Sequence, residues 1–218
     1  TKGRLVAQEM RVIGNTGPYG THGFTVQNVT GIRGLTSYNC PAKKFDCHVV
    51  YTNIPVPGAY RGYGAPQAEF ALECHMEDIA NDLGMDLFAF KRQNWVKVGD
   101  KLDIVMYLGE RGTAAGEVDP ATYPPVTTSG TEECVAQGMR AIGWHRRNDP
   151  AWVRPADQPN IRRGIGFAFC MHGTAIPFLD MGGCSIKMND DGSFNVLAGA
   201  ADLGTGADTV LSQIAAEV

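Results

Sequence analysis

At 218 residues, with 44% hydrophobic and 19% charged side chains, the chain has the make-up of a globular protein. That length suits one large domain or two small ones. A net charge of −4 leaves no basic footprint for nucleic acid, and no stretch is apolar and long enough to span a membrane or open as a secretion signal. A cytoplasmic location is the default expectation. The six cysteines are scattered without a C-x-x-C pair. That argues against an iron–sulfur cluster or structural zinc held by this chain and predicts free, mostly buried thiols.

In chain order, Arg4–Ile13 alternates like a strand and ends in the turn Gly14–Gly20. Asp46–Thr52 reads as a second strand. Pro66–Leu83 has helical periodicity, with Leu72, Met76, Ile79 and Leu83 on one face and Gly84 as the stop. Asp86 suits the cap of a short helix to about Val96. Gly99–Gly130 is aperiodic and reads as a connection, after which Thr131-Glu132-Glu133 opens a helix with Val135, Met139 and Ile142 at helical spacing. Arg163–His172 reads as a strand. Cys184–Met188 and Ser193–Ala198 read as a hairpin around Asn189-Asp190-Asp191-Gly192. The fold class expected is α+β, with mixed or antiparallel sheets and packed helices. The organisation expected is a first portion at 1–98, a linker and connecting helix at 99–160, and the start of a second subdomain at 161–218. Both chain ends read as cut, Thr1-Lys2-Gly3-Arg4 like a hairpin turn and Glu217-Val218 inside a helical pattern.

Two glycine-rich loops run into helices. Gly58-Ala59-Tyr60-Arg61-Gly62-Tyr63-Gly64-Ala65-Pro66-Gln67 precedes the first long helix, and Asp202-Leu203-Gly204-Thr205-Gly206-Ala207-Asp208-Thr209 precedes the last. Unpaired N–H groups and the dipole make a helix start a seat for an anion, and glycine lets backbone come close to it. Neither loop completes G-x-x-x-x-G-K-[ST], nor G-x-G-x-x-G with a following acid. Two such loops could converge on one polar, phosphate-bearing ligand; each alone is equally a tight turn.

Asn15-Thr16-Gly17-Pro18-Tyr19, Thr52-Asn53-Ile54-Pro55, the Gly58–Gln67 loop, Arg92-Gln93-Asn94, Arg163-Gly164-Ile165-Gly166 and Asp202–Thr209 occur in one order along nearly the whole chain. In this the chain resembles the molybdenum-binding large subunit of the xanthine dehydrogenase/aldehyde oxidase family of molybdenum hydroxylases. The resemblance implies a central fragment of that subunit, in an enzyme that oxidises a purine, another N-heterocycle or an aldehyde with water as the oxygen source. It implies a molybdenum–molybdopterin cofactor, possibly a dinucleotide, with no direct protein ligand to the metal. Iron–sulfur clusters and FAD are implied on other domains or subunits, which would be the partners. No catalytic residue is implied within this chain: the glutamate base is expected C-terminal to Val218, and residues 1–218 alone are expected to be inactive.

By the same resemblance Ala59, Tyr60 and Arg61 are cofactor-binding, Tyr63 is substrate-binding, and Leu203, Gly204 and Thr205 approach the pterin. Each has a plainer alternative. Arg61 could salt-bridge a carboxylate, Tyr63, whose hydroxyl could otherwise hydrogen-bond a polar substituent of the substrate, could be an ordinary packing aromatic, and the Leu203–Thr205 stretch could be a turn. Thr205 stands where many members carry glutamine, and Tyr63 where the family usually has phenylalanine. The substrate-binding arginine of purine-hydroxylating members aligns near Val29 or Arg33. Glu69, Glu73 and Glu77 at i, i+4, i+8 are expected to face water, since like charges so spaced disfavour a helix. The five histidines show no ligand spacing, and Trp95, Trp144 and Trp152 are expected to pack. The competing readings are a non-catalytic assembly module without cofactor and a nucleotide-binding enzyme. The latter is weakened by the lack of a βαβ pattern around either loop.

Overall fold

The computed structural model describes residues 2–108, 118–173 and 182–218. They fall into two compact units, Thr1–His172 and Gly173–Val218. The architecture is α+β: helices packed on small sheets.

Unit 1 begins with strand β1 (Gln8–Asn15), helix α1 (Gly23–Thr36) and strand β2 (Lys43–Val50). The strands pair in parallel, Gln8 opposite Lys43 through Asn15 opposite Val50, so the three elements form a βαβ unit. The sequence located both strands but neither the helix nor the parallel pairing. The reason lies in α1 itself. Nine of its residues are buried, among them three glycines, so it has no polar stripe to betray a period. Those glycines let it press on its neighbours. A Cβ on Gly31 would lie 2.7 Å from the Phe45 ring, and one on Gly34 would lie 2.2 Å from Met10 Cε.

Helix α2 (Ala65–Asp82) and helix α3 (Leu87–Asn94) follow close to their expected bounds. The Asp86 carboxylate caps α3 by accepting from Ala89 N at 3.0 Å. Leu72, Met76 and Ala80 of α2 pack with Tyr38, Phe90 and Trp95 in the main core. A second cluster joins Ile32 and Leu35 of α1 to Ile104, with Leu108 of the short helix α4 (Val105–Leu108) against it. Helix α5 (Thr131–Ile142) ends on Gly143 at φ +71, and the short helix α6 (Pro150–Val153) comes next. Residues 109–117 of the expected Gly99–Gly130 connection lie outside the described residues.

Three expectations are corrected. Arg163–His172 is extended but joins no strand among the described residues. Its alternate residues are held by side chains instead. Phe169 N donates to Glu73 Oε2 at 2.6 Å, Met171 N donates to Glu69 Oε1 at 3.2 Å, and Lys91 Nζ donates to Phe167 O at 3.0 Å. The same segment reverses the reading of the glutamates. It covers the face of α2 that carries Glu69 and Glu73, leaving each 7% exposed, whereas Glu77 is exposed. The cysteines are free, but Cys74, Cys134, Cys170 and Cys184 are exposed and only Cys40 is buried. The tryptophans pack as expected: Trp95 is 2% exposed and stacks on Phe169 at 5.6 Å.

In unit 2, strands β3 (Cys184–Met188) and β4 (Phe194–Ala198) form the expected antiparallel hairpin. Gly192 at φ +84 turns the chain, with Ser193 N donating to Asp191 Oδ1 at 3.0 Å. Helix α7 (Ala207–Glu217) closes the unit. None of its described residues is buried, and Ile186, Met188, Phe194, Leu197 and Ile214 all show apolar surface.

Candidate functional site

The first glycine loop leaves β2 beside the turn that leaves β1. Parallel pairing puts those two C-terminal ends together. Thr16 N donates to Val50 O at 3.0 Å and Thr52 N to Gly17 O at 3.1 Å. Further along, Thr21 Oγ1 donates to Pro57 O at 3.1 Å. Gly17, at φ +60, is required here, because a Cβ would sit 3.0 Å from the Val56 backbone. Two motifs 37 residues apart, Asn15–Tyr19 and Thr52–Pro55, are thereby one structure, as the bond from Thr52 Oγ1 to Asn15 Oδ1 also records.

The loop then tightens. Tyr63 N donates to Tyr60 O at 2.8 Å and Ala65 N to Gly62 O at 2.9 Å. Gly62, Tyr63 and Gly64 all have positive φ, at 92°, 38° and 89°. For tyrosine that conformation costs on the order of 1–3 kcal/mol, and it marks a residue held there by its surroundings. The holders are visible. The Tyr63 hydroxyl lies 2.9 Å from His22 Nδ1 and 2.5 Å from Thr25 Oγ1, and the His22 ring stands edge-on to its own at 5.8 Å. Gly64 is pressed on α1, with Thr30 Oγ1 donating to its carbonyl at 3.1 Å. Helix α2 starts here without a side-chain cap and without an acidic residue in its first turn, so its positive end meets no carboxylate of its own. Ala59, Tyr60 and Arg61 are exposed on the outer side of the turn, Tyr60 at 79%.

The second loop is differently committed. Asp202 Oδ1 accepts from Gly204 N at 2.8 Å and from Gly206 N at 3.3 Å. These backbone donors, Gly204 first, hold the Asp202 carboxyl below the usual carboxylate range. An anion seeking the same two N–H groups would compete with Asp202. Around Gly206 there is open space, with no atom within 4 Å of where a Cβ would stand. Ala59, Tyr60, Arg61 and Tyr63 belong to unit 1, and Leu203, Gly204 and Thr205 to unit 2.

Sequence reasoning missed two groups. His22 and Thr25 carried no signal, because their partner is 41 and 38 residues away. The interior charges were signalled: Glu69, Leu72, Glu73, Met76 and Ala80 share one buried stripe at helical spacing. Glu73 takes a bond from Tyr38 OH at 2.5 Å and pairs with Lys91. Burial, more than the neighbouring Glu73 charge, pushes the Tyr38 phenol up. Burial also pushes the Glu69 carboxyl up to about 7, against the bonds from Ser37 and Met171 N. Among the described residues, Glu69 Oε2 and Arg33 Nε are buried without hydrogen-bond partners. Burial lowers the Arg33 guanidinium, with Glu69 opposing. Val29 is buried in α1. An apolar groove of about 590 Å³ between α5 and residues 166–170 shares no residue with either glycine loop. No three His, Cys, Asp or Glu side chains gather for a metal among the described residues, nor is any described helix long and apolar enough to cross a membrane.

Comparison with known proteins ties the two loops to one kind of domain. Residues 1–95, which contain the first loop, match a molybdopterin cofactor-binding domain, and residues 137–218, which contain the second, match another. The chain is 37% identical over 218 residues to the "Probable hypoxanthine oxidase" of Escherichia coli K12, covering 99% of this chain and 21% of that protein. It is 33% identical over 218 residues to the xanthine dehydrogenase molybdenum-binding subunit of Escherichia coli O157:H7, covering 99% of this chain and 26% of that one. The aldehyde oxidoreductase of Desulfovibrio desulfuricans superposes with a TM-score of 0.59 at 28% identity, over 95% of this chain and 20% of that structure. The chain thus spans about a fifth to a quarter of the relatives it matches.

Proposed function

The chain belongs to the molybdopterin cofactor-binding domains of the xanthine dehydrogenase/aldehyde oxidoreductase type, and we propose that it forms part of the cofactor cradle of a molybdenum hydroxylase. The observation that carries this is the Ala59–Gly64 loop, inside the first matching domain, which delivers an uncapped, acid-free helix start. Such an end suits the anionic and polar edges of a molybdenum–pterin group. Ala59, Tyr60 and Arg61 would hold the group on this side, and Tyr63 would form a wall of the substrate slot.

Leu203, Gly204 and Thr205 would approach the pterin. Since the Gly204 N–H is given to Asp202, its contribution would be close backbone approach, and the Thr205 hydroxyl would be the polar contact. When bound, the molybdenum–pterin group supplies two-electron redox chemistry that places an oxygen from water on an electron-poor carbon. This chain's part is to bind and orient: it keeps the slot rigid so that a flat substrate meets the reacting centre in one pose.

The substrate class is a purine, another N-heterocycle or an aldehyde; the names of the relatives described above cover the purine and aldehyde classes. Electrons would leave through iron–sulfur clusters and FAD on other domains or subunits, which are the proposed partners. The base would lie outside residues 1–218, so this stretch alone would be inactive. Residues 1–98 would be the first cofactor-binding portion, 99–160 the connection and 161–218 the start of the second.

The test is metal and pterin analysis of the full-length enzyme, beside the same enzyme with Arg61→Ala plus Gly62→Val. Molybdenum and pterin in the first and their loss from a folded second is the expected result. Full cofactor content in the loop variant would remove the cradle reading. A parent that folds without molybdenum would leave a non-catalytic assembly module as the better account.

A further inference from the structure

Three features meet at the first loop: a tyrosine in a left-handed conformation, a histidine edge-on to it, and a threonine hydroxyl against its phenol. We propose that His22 and Thr25 are positioning residues for Tyr63, fixing its ring so that the loop presents one orientation to a flat, electron-poor substrate. The proposal rests on the reading of the Ala59–Gly64 loop as part of the substrate slot.

The proton count supports it. Thr25 Oγ1 stands 3.2 Å from the His22 carbonyl and 2.5 Å from the Tyr63 hydroxyl. In one arrangement Tyr63 donates to His22 Nδ1 and accepts from Thr25. In the other, His22 Nδ1–H donates to Tyr63, Tyr63 donates to Thr25, and Thr25 donates to the His22 carbonyl. Each arrangement gives the phenol one donor and one acceptor partner. The hydroxyl is therefore engaged inside the protein, and what remains for a ligand is the ring.

Geometry explains why such anchoring is needed. Tyr63 is only half-buried, so packing alone leaves its ring free to change rotamer. Two bonds to the start of α1 remove that freedom before any ligand arrives, which is preorganisation in the ordinary sense. One anchor, His22, is the residue that precedes α1 and the other, Thr25, lies in its first turn, and α1 also grips the next residue through Thr30 and the Gly64 carbonyl. The crossover helix of the βαβ unit is in this way the jig for the loop.

The experiment uses full-length holoenzyme with molybdenum and pterin quantified in every variant. Hypoxanthine, nicotinate and benzaldehyde serve as probes, each read by steady-state kinetics and by equilibrium dialysis. For the probe that binds, His22→Ala and Thr25→Val are each expected to weaken binding about fivefold, the worth of one hydrogen bond, and Tyr63→Phe, which loses both bonds, by more. The loss should fall on KM and Kd more heavily than on kcat, with cofactor content unchanged. The double variant His22→Ala with Tyr63→Phe should be no worse than Tyr63→Phe alone, and His22→Asn should recover most of what His22→Ala loses.

If Tyr63→Ala weakens binding while His22→Ala and Thr25→Val do not, the positioning role is overturned and the loop reading survives. If Tyr63→Ala leaves KM, Kd and cofactor content unchanged, or if none of the three probes binds the holoenzyme, the loop reading falls and the proposal falls with it.

Discussion

Glu73 and Lys91 meet in the interior of unit 1, Oε2 to Nζ at 2.7 Å, with their side chains 8% and 1% exposed. Tyr38 OH and Phe169 N complete the carboxylate, and Phe167 O takes another of the ammonium's protons. The pair stands in the place of a strand partner for the 163–172 segment, and it is satisfied only when that segment is docked.

Breaking the pair should therefore be more damaging than removing it. Lys91→Met leaves a buried carboxylate without its cation and is expected to lower stability by about 3–5 kcal/mol. Glu73→Leu combined with Lys91→Met should cost clearly less, because no charge is stranded. Urea unfolding of the three proteins measures this, and a double variant as unstable as the single one would contradict it.

Glu69 makes stability depend on pH in the opposite sense to a salt-bridged carboxylate. Its pKa in the folded chain is raised from 4.5 to about 7, chiefly by burial. The folded state holds the proton more tightly than the unfolded state. The resulting stability is complete below about pH 4.5 and is lost as pH rises through 7. Unfolding free energy should thus fall between these values more steeply in the parent than in Glu69→Gln. Parallel pH profiles for the two proteins would show that Glu69 does not carry the effect.

Glycines of the first loop should respond unequally to alanine. At Gly64 a Cβ would lie 2.2 Å from Val26 O, and φ is +89. Gly64→Ala should cost at least about 2 kcal/mol through clash and backbone strain together. At Gly58 nothing lies within 4 Å, and Gly58→Ala should change stability by less than about 0.5 kcal/mol. Differential scanning calorimetry separates the two, and equal shifts in Tm would refute the packing argument.

Among its described residues unit 2 has one hairpin and one helix, and none of those residues is buried. A two-stranded hairpin without a covered face is marginal in water. A peptide of residues 173–218 is expected to show a mostly disordered far-UV circular dichroism spectrum. A cooperative thermal transition in that peptide would mean that it has a core of its own.

Local signals were legible wherever the deciding atoms lie within a few residues. The Asp86 cap, the Asn189–Gly192 turn and the bounds of α2 were all readable from adjacent side chains. So was the order of motifs that marks the family, and with it the importance of the Ala59–Gly64 loop. Helix α1 was not legible, because a helix buried nearly all round carries no polar stripe, and nothing local shows that its glycines pack against Phe45 and Met10. Arg163–His172 alternates like a strand because alternate residues do point inward. What was missing from the sequence was that the inner partners are Glu69, Glu73 and Lys91 side chains, not another strand.

By itself, then, the sequence determined the α+β class, most element positions, two glycine loops ahead of helices, and the kind of domain to which they belong. Those depend on periodicity, capping and backbone freedom, which neighbours along the chain settle among themselves. Tertiary structure alone decided that two glutamates of one helix face inward, that β1 and β2 run parallel, and that the Tyr63 hydroxyl is held by His22 and Thr25. Those outcomes rest on contacts between residues 35 to 102 positions apart. No local propensity encodes such contacts, because the free energy that selects them exists only once the two segments have been brought together.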